Sequence, residues 1–348
     1  MLTPSLAVER ERERESFYAI DLIRVIACFL VILLHISASL FYSFSDSWKI
    51  CVKYDSAARM CVPLFFMISG YLLFNKKTIP VFTFYRKRLY RILFPFFILC
   101  IIYFFNQGSG ITEFITKIFQ KKVDFHLWYV YAIVGLYLAV PFFKKLFDTE
   151  EGLFLVKLYI VIWLVSAIIY PTASRYFKLT IPFFNNFNFN FFYGYMGYFL
   201  LGGLLRNYTF SKNKRLLAFL LTVISTWLIY YFTKKYSYSL NKPNGLFFGY
   251  LTPFVFLQAT SFFIALKDFS FKNSLIQKIS RHSYWMYLIH VIVYKKILHV
   301  TASSLVPYAS LKIPAYALAT FILCFLISIP LYALEQRATS YLRRHIDI

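Results

Sequence analysis

Long apolar segments alternate with short polar ones from one end of the chain to the other. The apolar runs reach 18 or more residues, long enough to cross a bilayer as helices, and the polar pieces between them are roughly 8 to 20 residues long. The pattern predicts an all-α polytopic integral membrane protein with about ten transmembrane helices. The predicted spans lie near 18–43, 60–75, 89–106, 127–147, 153–171, 190–206, 214–233, 246–266, 283–301 and 313–334.

The composition supports this assignment. Of the 348 residues, 59% are hydrophobic and 15% are charged, whereas a soluble domain has about 45–50% apolar and about 25% charged residues. The polar segments are too short for an extramembrane domain, so residues 1–348 are predicted to form one membrane domain. It comprises a head (1–17), a ten-span bundle (18–334) and a tail (335–348). The head lacks the small-residue cleavage site of a signal peptide, so we expect the first span to be retained.

The formal charge of +23 bears on the orientation of the protein in the membrane rather than on its class. In a membrane protein such an excess indicates basic loops beside anionic lipid, and no nucleic-acid-binding motif accompanies it. An even number of spans places both termini on one side, and the loops of that side carry more Lys and Arg. The positive-inside rule therefore predicts that both termini are cytoplasmic.

The five cysteines form neither a CxxC pair nor a zinc-binding spacing, so no metal site is predicted. Cys51 and Cys61 could form a disulfide in an oxidising compartment, but buried free thiols are the favoured interpretation.

The first span, YAIDLIRVIACFLVILLHIS, contains three ionisable residues. At 100° per residue, Arg24 and His35 lie on one helix face, about 16 Å apart along the axis, and Asp21 lies one turn before Arg24. An interfacial ion pair whose side chains extend to the membrane surface would explain Asp21 and Arg24 without any function. A histidine at this depth favours a functional role, although a hydrogen bond between helices is the alternative.

A basic segment, RKRLYRILFP, precedes the third span at residues 86–95. Arg88 and Arg91 share a helix face and could bind phosphate groups bidentately together with Arg86. Charge alone favours a purely topological role for this segment.

Histidines with aromatic neighbours mark two further spans. His126 and Trp128 begin HLWYVYAIVGLY, and Tyr287 and His290 share a helix face in SYWMYLIHVIVYK. The aromatic and asparagine-rich stretch 183–198 is typical of an interfacial aromatic belt, with sugar stacking as the alternative.

Together these segments resemble acyltransferase family 3, the integral-membrane acyltransferases. DLIRVIACFLVILLH is similar to the first-span signature of the family, an Arg and a His separated by ten residues. Four further segments follow in the expected order over nearly the whole chain: VPLFFMISGYLL (62–73), RKRLYRILFP, HLWYVYAIVGLY and YWMYLIHV. In style the chain is similar to stand-alone O-acetyltransferases of bacterial O-antigen or enterobacterial common antigen.

The resemblance implies a multi-pass protein of the bacterial inner membrane that uses acetyl-CoA as a donor substrate, with no bound cofactor. The implied partners are membrane lipid and a glycan acceptor, often lipid-linked, at the periplasmic face. Arg86, Arg88 and Arg91 are then candidates for binding the acyl-CoA. A transporter or flippase for such a glycan is the alternative from another functional class, and the oligomeric state stays open.

Within this scheme His35 is the predicted general base or transient acetyl acceptor, Arg24 contributes to donor binding, and Asp21 orients Arg24. Ser69 is a candidate oxyanion donor, although a Ser-Gly pair that allows close helix packing explains it nearly as well. The remaining candidates, for acceptor binding or secondary roles, are His126, Trp128, Tyr287 and His290.

Overall fold

The computed structural model describes residues 4–42, 44–45, 47–74, 80–107, 110, 112–113, 115–116, 123–179, 181, 192, 194–269, 271–300 and 309–345. Within these residues the regular structure is helical and contains no β-strand. The helices that position the site are α1 (Pro4–Ala38), α2 (Trp48–Ala58), α3 (Cys61–Leu73), α4 (Val81–Gln107), α5 (Trp128–Phe147), α6 (Glu150–Trp163), α7 (Tyr170–Phe177), α8 (Met196–Leu205), α9 (Lys212–Ser239), α10 (Pro253–Leu266), α11 (Ser274–Val300) and α12 (Ala309–His345). Short 3₁₀ turns precede α5 (Phe125–Leu127) and α10 (Leu246–Phe248), and a π-helical turn (Leu164–Ile169) joins α6 to α7.

The predicted class, an all-α polytopic membrane protein, is confirmed. Eight helical segments of the described chain are long and apolar enough to cross a membrane. The predicted spans 190–206 and 283–301 correspond to the two other helices, α8 and α11. The former contains the ten-residue helix α8. The stretch 182–191, which holds most of the aromatic and asparagine-rich segment, lies outside the described residues.

Helix α2 corrects the prediction that residues 44–59 form a loop. Its charged residues lower the local hydropathy, yet α2 and α3 together form one of the eight spanning segments, Trp48–Leu73. Asp55 is completely buried on α2 and pairs with Arg59, at 2.6 Å between Oδ2 and Nη2. The neighbouring helices thus shield polar residues that a hydropathy scan reads as a loop.

Helix α11 is long but polar, and it is sheltered by its neighbours. It packs mainly against α1 and α12. The indole Nε1 of Trp285 donates a hydrogen bond to Glu335 Oε2 at 2.7 Å, and His282 Nδ1 lies 3.3 Å from the carbonyl oxygen of Ser328. Because helices in lipid must satisfy polar groups internally, these partners on α12 allow a helix of such composition inside the bundle.

Helices α3 and α8 approach each other backbone to backbone. A Cβ on Gly70 would overlap the carbonyl oxygen of Phe199, and a Cβ on Gly202 would overlap the carbonyl oxygen of Met67. Small residues at helix contacts in membranes permit this close packing.

Substitution of Gly70 by Ala is therefore expected to destabilise the protein by about 1–3 kcal/mol, because neither backbone can yield to the added methyl group. Gly135→Ala is the control, since no atom lies within 4 Å of its Cβ position and alanine favours the helix by about 0.5–1 kcal/mol. The measurement is thermal unfolding in detergent micelles followed by tryptophan fluorescence. Equal stabilities of the two variants would contradict the prediction.

Candidate active site

Arg24 lies in a small hydrogen-bonded group at the contact of α1 with α11. Its Nη1 donates to Asp21 Oδ1 at 3.2 Å and to the hydroxyl of Ser280 at 2.8 Å. The same Ser280 hydroxyl donates to Asp21 Oδ1 at 2.6 Å. The helical spacing predicted the Asp21–Arg24 pair, but the third member comes from a residue 256 positions away. Asp21 and Ser280 together hold the guanidinium in a defined orientation.

A cavity of about 330 Å³ extends from this guanidinium into the bundle. The predicted residues Arg24, Arg88, Arg91, Ser69 and Tyr287 line it, so the structure brings together groups from α1, α3, α4 and α11. Arg86 was also predicted to bind the donor. It lies on α4 with Arg88 and Arg91 but is absent from the described lining of the cavity. Four arginines line the cavity, the three predicted ones and Arg281 of α11, and no described carboxylate does, so the cavity is suitable for an anionic ligand.

Tyrosines that were not predicted from the sequence line the same cavity. Tyr129 and Tyr137 of α5 lie beside the Ser69 hydroxyl, and Tyr284 of α11 donates a hydrogen bond to the carbonyl oxygen of Ile92 at 2.9 Å. Ser69 faces the cavity while the adjacent Gly70 makes the close contact with α8. Gly70 therefore makes the close helix contact of the packing interpretation, whereas the role of Ser69 as an oxyanion donor stays a prediction.

Beyond Tyr287 lies a cluster of three histidines from three parts of the chain. The ring centroids of His35 and His290 are 5.1 Å apart, and those of His290 and His126 are 5.0 Å apart. His35 is half-buried, whereas His126 and His290 are buried. The half-buried ring is the member of the cluster most open to a ligand.

Backbone carbonyl groups hold the buried members of this cluster. The Tyr287 hydroxyl donates a hydrogen bond to the carbonyl oxygen of His126 at 2.5 Å. Nε2 of His126 lies 3.3 Å from the carbonyl oxygen of Leu288, and Nδ1 of His290 lies 2.5 Å from that of Tyr287. These contacts join the turn before α5 to α11.

A charged group flanks His126. Asp124 Oδ1 lies 3.6 Å from His126 Nδ1, and Asp124 Oδ2 lies 3.5 Å from the ammonium nitrogen of Lys295. Burial raises the pKa of the Asp124 carboxyl, but the hydrogen bond and charge of His126, together with the charge of Lys295, outweigh it. The pKa of Asp124 therefore lies below its ordinary value, and this carboxylate stays ionised.

Trp128 belongs to a different aromatic group. Its ring lies 5.1 Å from Tyr195 and 6.0 Å from Tyr250. The described ring contacts of the three histidines do not include it. The structure thus separates Trp128 from His126, although the two are adjacent in the sequence.

The Asp55–Arg59 pair at the end of α2 was also not predicted from the sequence. Cys51 donates from its thiol to the carbonyl oxygen of Ser37 at 2.9 Å, which fixes α2 beside the end of α1 that carries His35. Arg59 lies 4.2 Å from the centroid of the Phe248 ring and donates to that residue's carbonyl oxygen. The i,i+4 spacing of Asp55 and Arg59 is typical of an ion pair on a helix, but the segment that contains them was interpreted as a loop.

Among the described residues no group of three His, Cys, Asp or Glu side chains is arranged to hold a metal ion. All five cysteines are buried free thiols.

Fold and site thus define a helical membrane protein with a basic cavity and a cluster of three histidines, two of which adjoin Tyr287 of the cavity wall. The family described as an acyltransferase domain matches residues 17–333, and the chain belongs to this family, acyltransferase family 3. An amino-acid racemase from Enterococcus faecalis is 29% identical over 157 residues, which cover 43% of this chain. The similar region is 22% of the racemase, so the chain matches only about a fifth of that protein. No solved structure matches the chain.

The buried ion pair yields a stability prediction. Arg59→Ala should lower the free energy of unfolding by about 3–5 kcal/mol, because it leaves the completely buried carboxylate of Asp55 without a counter-charge. Asp148→Ala, which removes the half-exposed partner of Lys144, should change it by only about 0–1 kcal/mol. Unfolding curves of both variants in detergent test this, and a wild-type curve for Arg59→Ala would be incompatible with it.

Proposed function

We propose that the protein is an O-acetyltransferase of the bacterial inner membrane, moving an acetyl group from acetyl-CoA to a hydroxyl of a surface glycan. The observation that supports this most strongly is that one tyrosine belongs to both parts of the site. Tyr287 lines the cavity together with Arg24, Arg88 and Arg91, and its ring lies 5.7 Å from that of His290, which is beside His35. The arrangement offers an anion-binding entrance and a proton-transfer group within one bundle.

The arginines bind the donor in this scheme. Guanidinium groups match phosphate oxygens bidentately, and Arg88 and Arg91 project from adjacent turns of α4. Asp21 and Ser280 keep Arg24 in position at the same cavity. Acetyl-CoA enters as a substrate from the cytoplasm, with its phosphates at the arginines and its acyl end directed along the cavity toward the histidines.

His35 acts as the general base toward the acceptor hydroxyl. A neutral imidazole in hydrogen-bond reach of the hydroxyl can take its proton as the oxygen attacks the thioester carbon. The alternative, a transient acetyl group on His35, uses the same ring nitrogen. The Ser69 hydroxyl is suited to stabilise negative charge on a carbonyl oxygen held in the cavity.

The acceptor reaches His35 from the opposite, periplasmic side. His35 is half-buried and faces the exposed ring of Phe125 at 5.2 Å, so this end of the cluster is accessible from outside the bundle. A lipid-linked glycan held at that membrane surface would present a hydroxyl to the ring. Tyr287, His126 and Trp128 are secondary candidates for its contacts.

Substitution of His35 by Ala should reduce acetylation by about 100-fold or more, because general-base catalysis contributes about 10²–10⁴-fold. Membranes with equal amounts of wild-type or variant protein are incubated with radiolabelled acetyl-CoA, and label in the glycan is counted. Label at the wild-type level in the variant would remove His35 from the mechanism. Glycan export without any labelling by the wild type would favour a transporter instead.

Separate substitutions of Arg88 and Arg91 by Ala should raise the KM for acetyl-CoA by about 10- to 100-fold, since a hydrogen bond to a charged group contributes about 1.5–3 kcal/mol. Arg86→Ala is the matched control, because it removes an equal charge from the same helix outside the described cavity lining. A similar increase in KM for all three variants would indicate general surface electrostatics rather than a specific phosphate site.

A further inference from the structure

His290 occupies the centre of the histidine cluster. Its side chain is completely buried, and its ring lies between those of His35 and His126 at 5.1 and 5.0 Å. Tyr287, one helical turn earlier on α11, lines the arginine cavity. His290 is therefore positioned between the end of that cavity and the more accessible ring of His35.

The hydrogen bonding of His290 identifies which ring nitrogen carries the proton. Nδ1 lies 2.5 Å from the carbonyl oxygen of Tyr287, and a carbonyl oxygen can only accept a hydrogen bond. Nδ1 is therefore the N–H group, and in the neutral ring Nε2 carries the lone pair. This Nε2 is buried and has no hydrogen-bond partner among the described residues. A buried acceptor without a partner is unfavourable for stability, and this one belongs to a ring that adjoins His35.

His126 cannot serve the same purpose. Its Nε2 lies 3.3 Å from the carbonyl oxygen of Leu288 and therefore carries hydrogen. Its other nitrogen, Nδ1, lies 3.6 Å from a carboxylate oxygen of Asp124, which in turn lies near Lys295. Nδ1 of His126 also lacks a described hydrogen-bond partner, but it faces the Asp124 carboxylate, and the described ring contacts of His126 do not include His35. Of the two buried histidines, His290 is therefore the one whose ring adjoins His35.

We propose that His290 is a proton-relay residue that works with His35, an inference that rests on the acyl transfer proposed above. In this relay the free Nε2 of His290 receives a proton from His35 at the moment when His35 takes one from the acceptor hydroxyl. The two rings are adjacent, and catalytic hydrogen bonds commonly shorten only when the substrate is bound.

The relay conserves atoms and charge. The acceptor oxygen forms a bond to the thioester carbonyl carbon, and its proton moves to one ring nitrogen of His35. His35 passes the proton of its other nitrogen to Nε2 of His290, which becomes an imidazolium. When the carbon–sulfur bond breaks, the proton returns through His35 to the coenzyme A thiolate. The products are the ester and the free thiol, and both histidines end neutral.

The test replaces His290 by Asn. The Asn side chain can still donate a hydrogen bond to the carbonyl oxygen of Tyr287, but it has no basic nitrogen in place of Nε2. We expect kcat for acetyl transfer to fall by about 100-fold or more, because the proton loses its acceptor. The KM for acetyl-CoA should stay at the wild-type value, because the arginine cavity is intact.

His282→Asn is the matched control on the same helix. His282 is also buried, and its Nδ1 also contacts a backbone carbonyl oxygen, that of Ser328 at 3.3 Å. Its ring neighbours are Phe325 and Tyr332 of α12 rather than other histidines. We expect this variant to retain the kcat of the wild type.

A wild-type kcat for His290→Asn would overturn the relay. An equal loss of kcat in His282→Asn would also overturn it, as would a loss of activity in His290→Asn that is explained by a higher KM. His290→Gln provides a second variant, and failure of both to accumulate as folded protein would make His290 a structural residue and also overturn the relay. Absence of acetyl transfer by the wild type would instead overturn the proposed function itself. The result that supports the relay is a loss in kcat alone, confined to His290.

Discussion

The need to pair every polar group away from lipid is the constraint that the rest of this structure depends on. A hydrocarbon layer offers no hydrogen bonds, so the charged face of α1 must be covered by protein. Helix α11 provides that cover: Ser280 bonds to both Asp21 and Arg24, and further along the contact His290 lies against His35. The contact between α1 and α11 therefore determines where the ionisable residues of α1 are buried.

The same contact connects two chemically different regions. Near Arg24 the bundle contains a cavity with four guanidinium groups, and near His35 it contains three imidazoles, with the ring of His290 5.1 and 5.0 Å from the other two. Tyr287 links the two, because it lines the cavity and bonds to the backbone of His126. The proposed transfer from an anionic thioester to a neutral hydroxyl requires a site for anions and a group that takes a proton, and the two regions offer side chains of these two kinds.

Much of this could be predicted from local pattern. The long apolar runs gave the fold class, and helical periodicity placed Asp21, Arg24 and His35 on one face before any contact was known. Ser280 could not be predicted, since its role depends on packing between residues 256 positions apart. Helix α2 was missed for a related reason, because hydropathy measures a segment alone, whereas Asp55 and Arg59 are stabilised by each other and by the surrounding helices.

The glycine contact between α3 and α8 has a mechanical consequence for the cavity. Two backbones in direct contact cannot slide past each other, so Ser69, next to Gly70, belongs to a stiff wall. The opposite wall carries Arg88 and Arg91 on α4, a largely lipid-exposed helix with Pro95 in its interior. A proline removes one backbone hydrogen bond and makes a helix easier to bend. If the cavity changes width when a ligand enters, we therefore expect the arginine-bearing wall to bend and the Ser69 wall to stay in place.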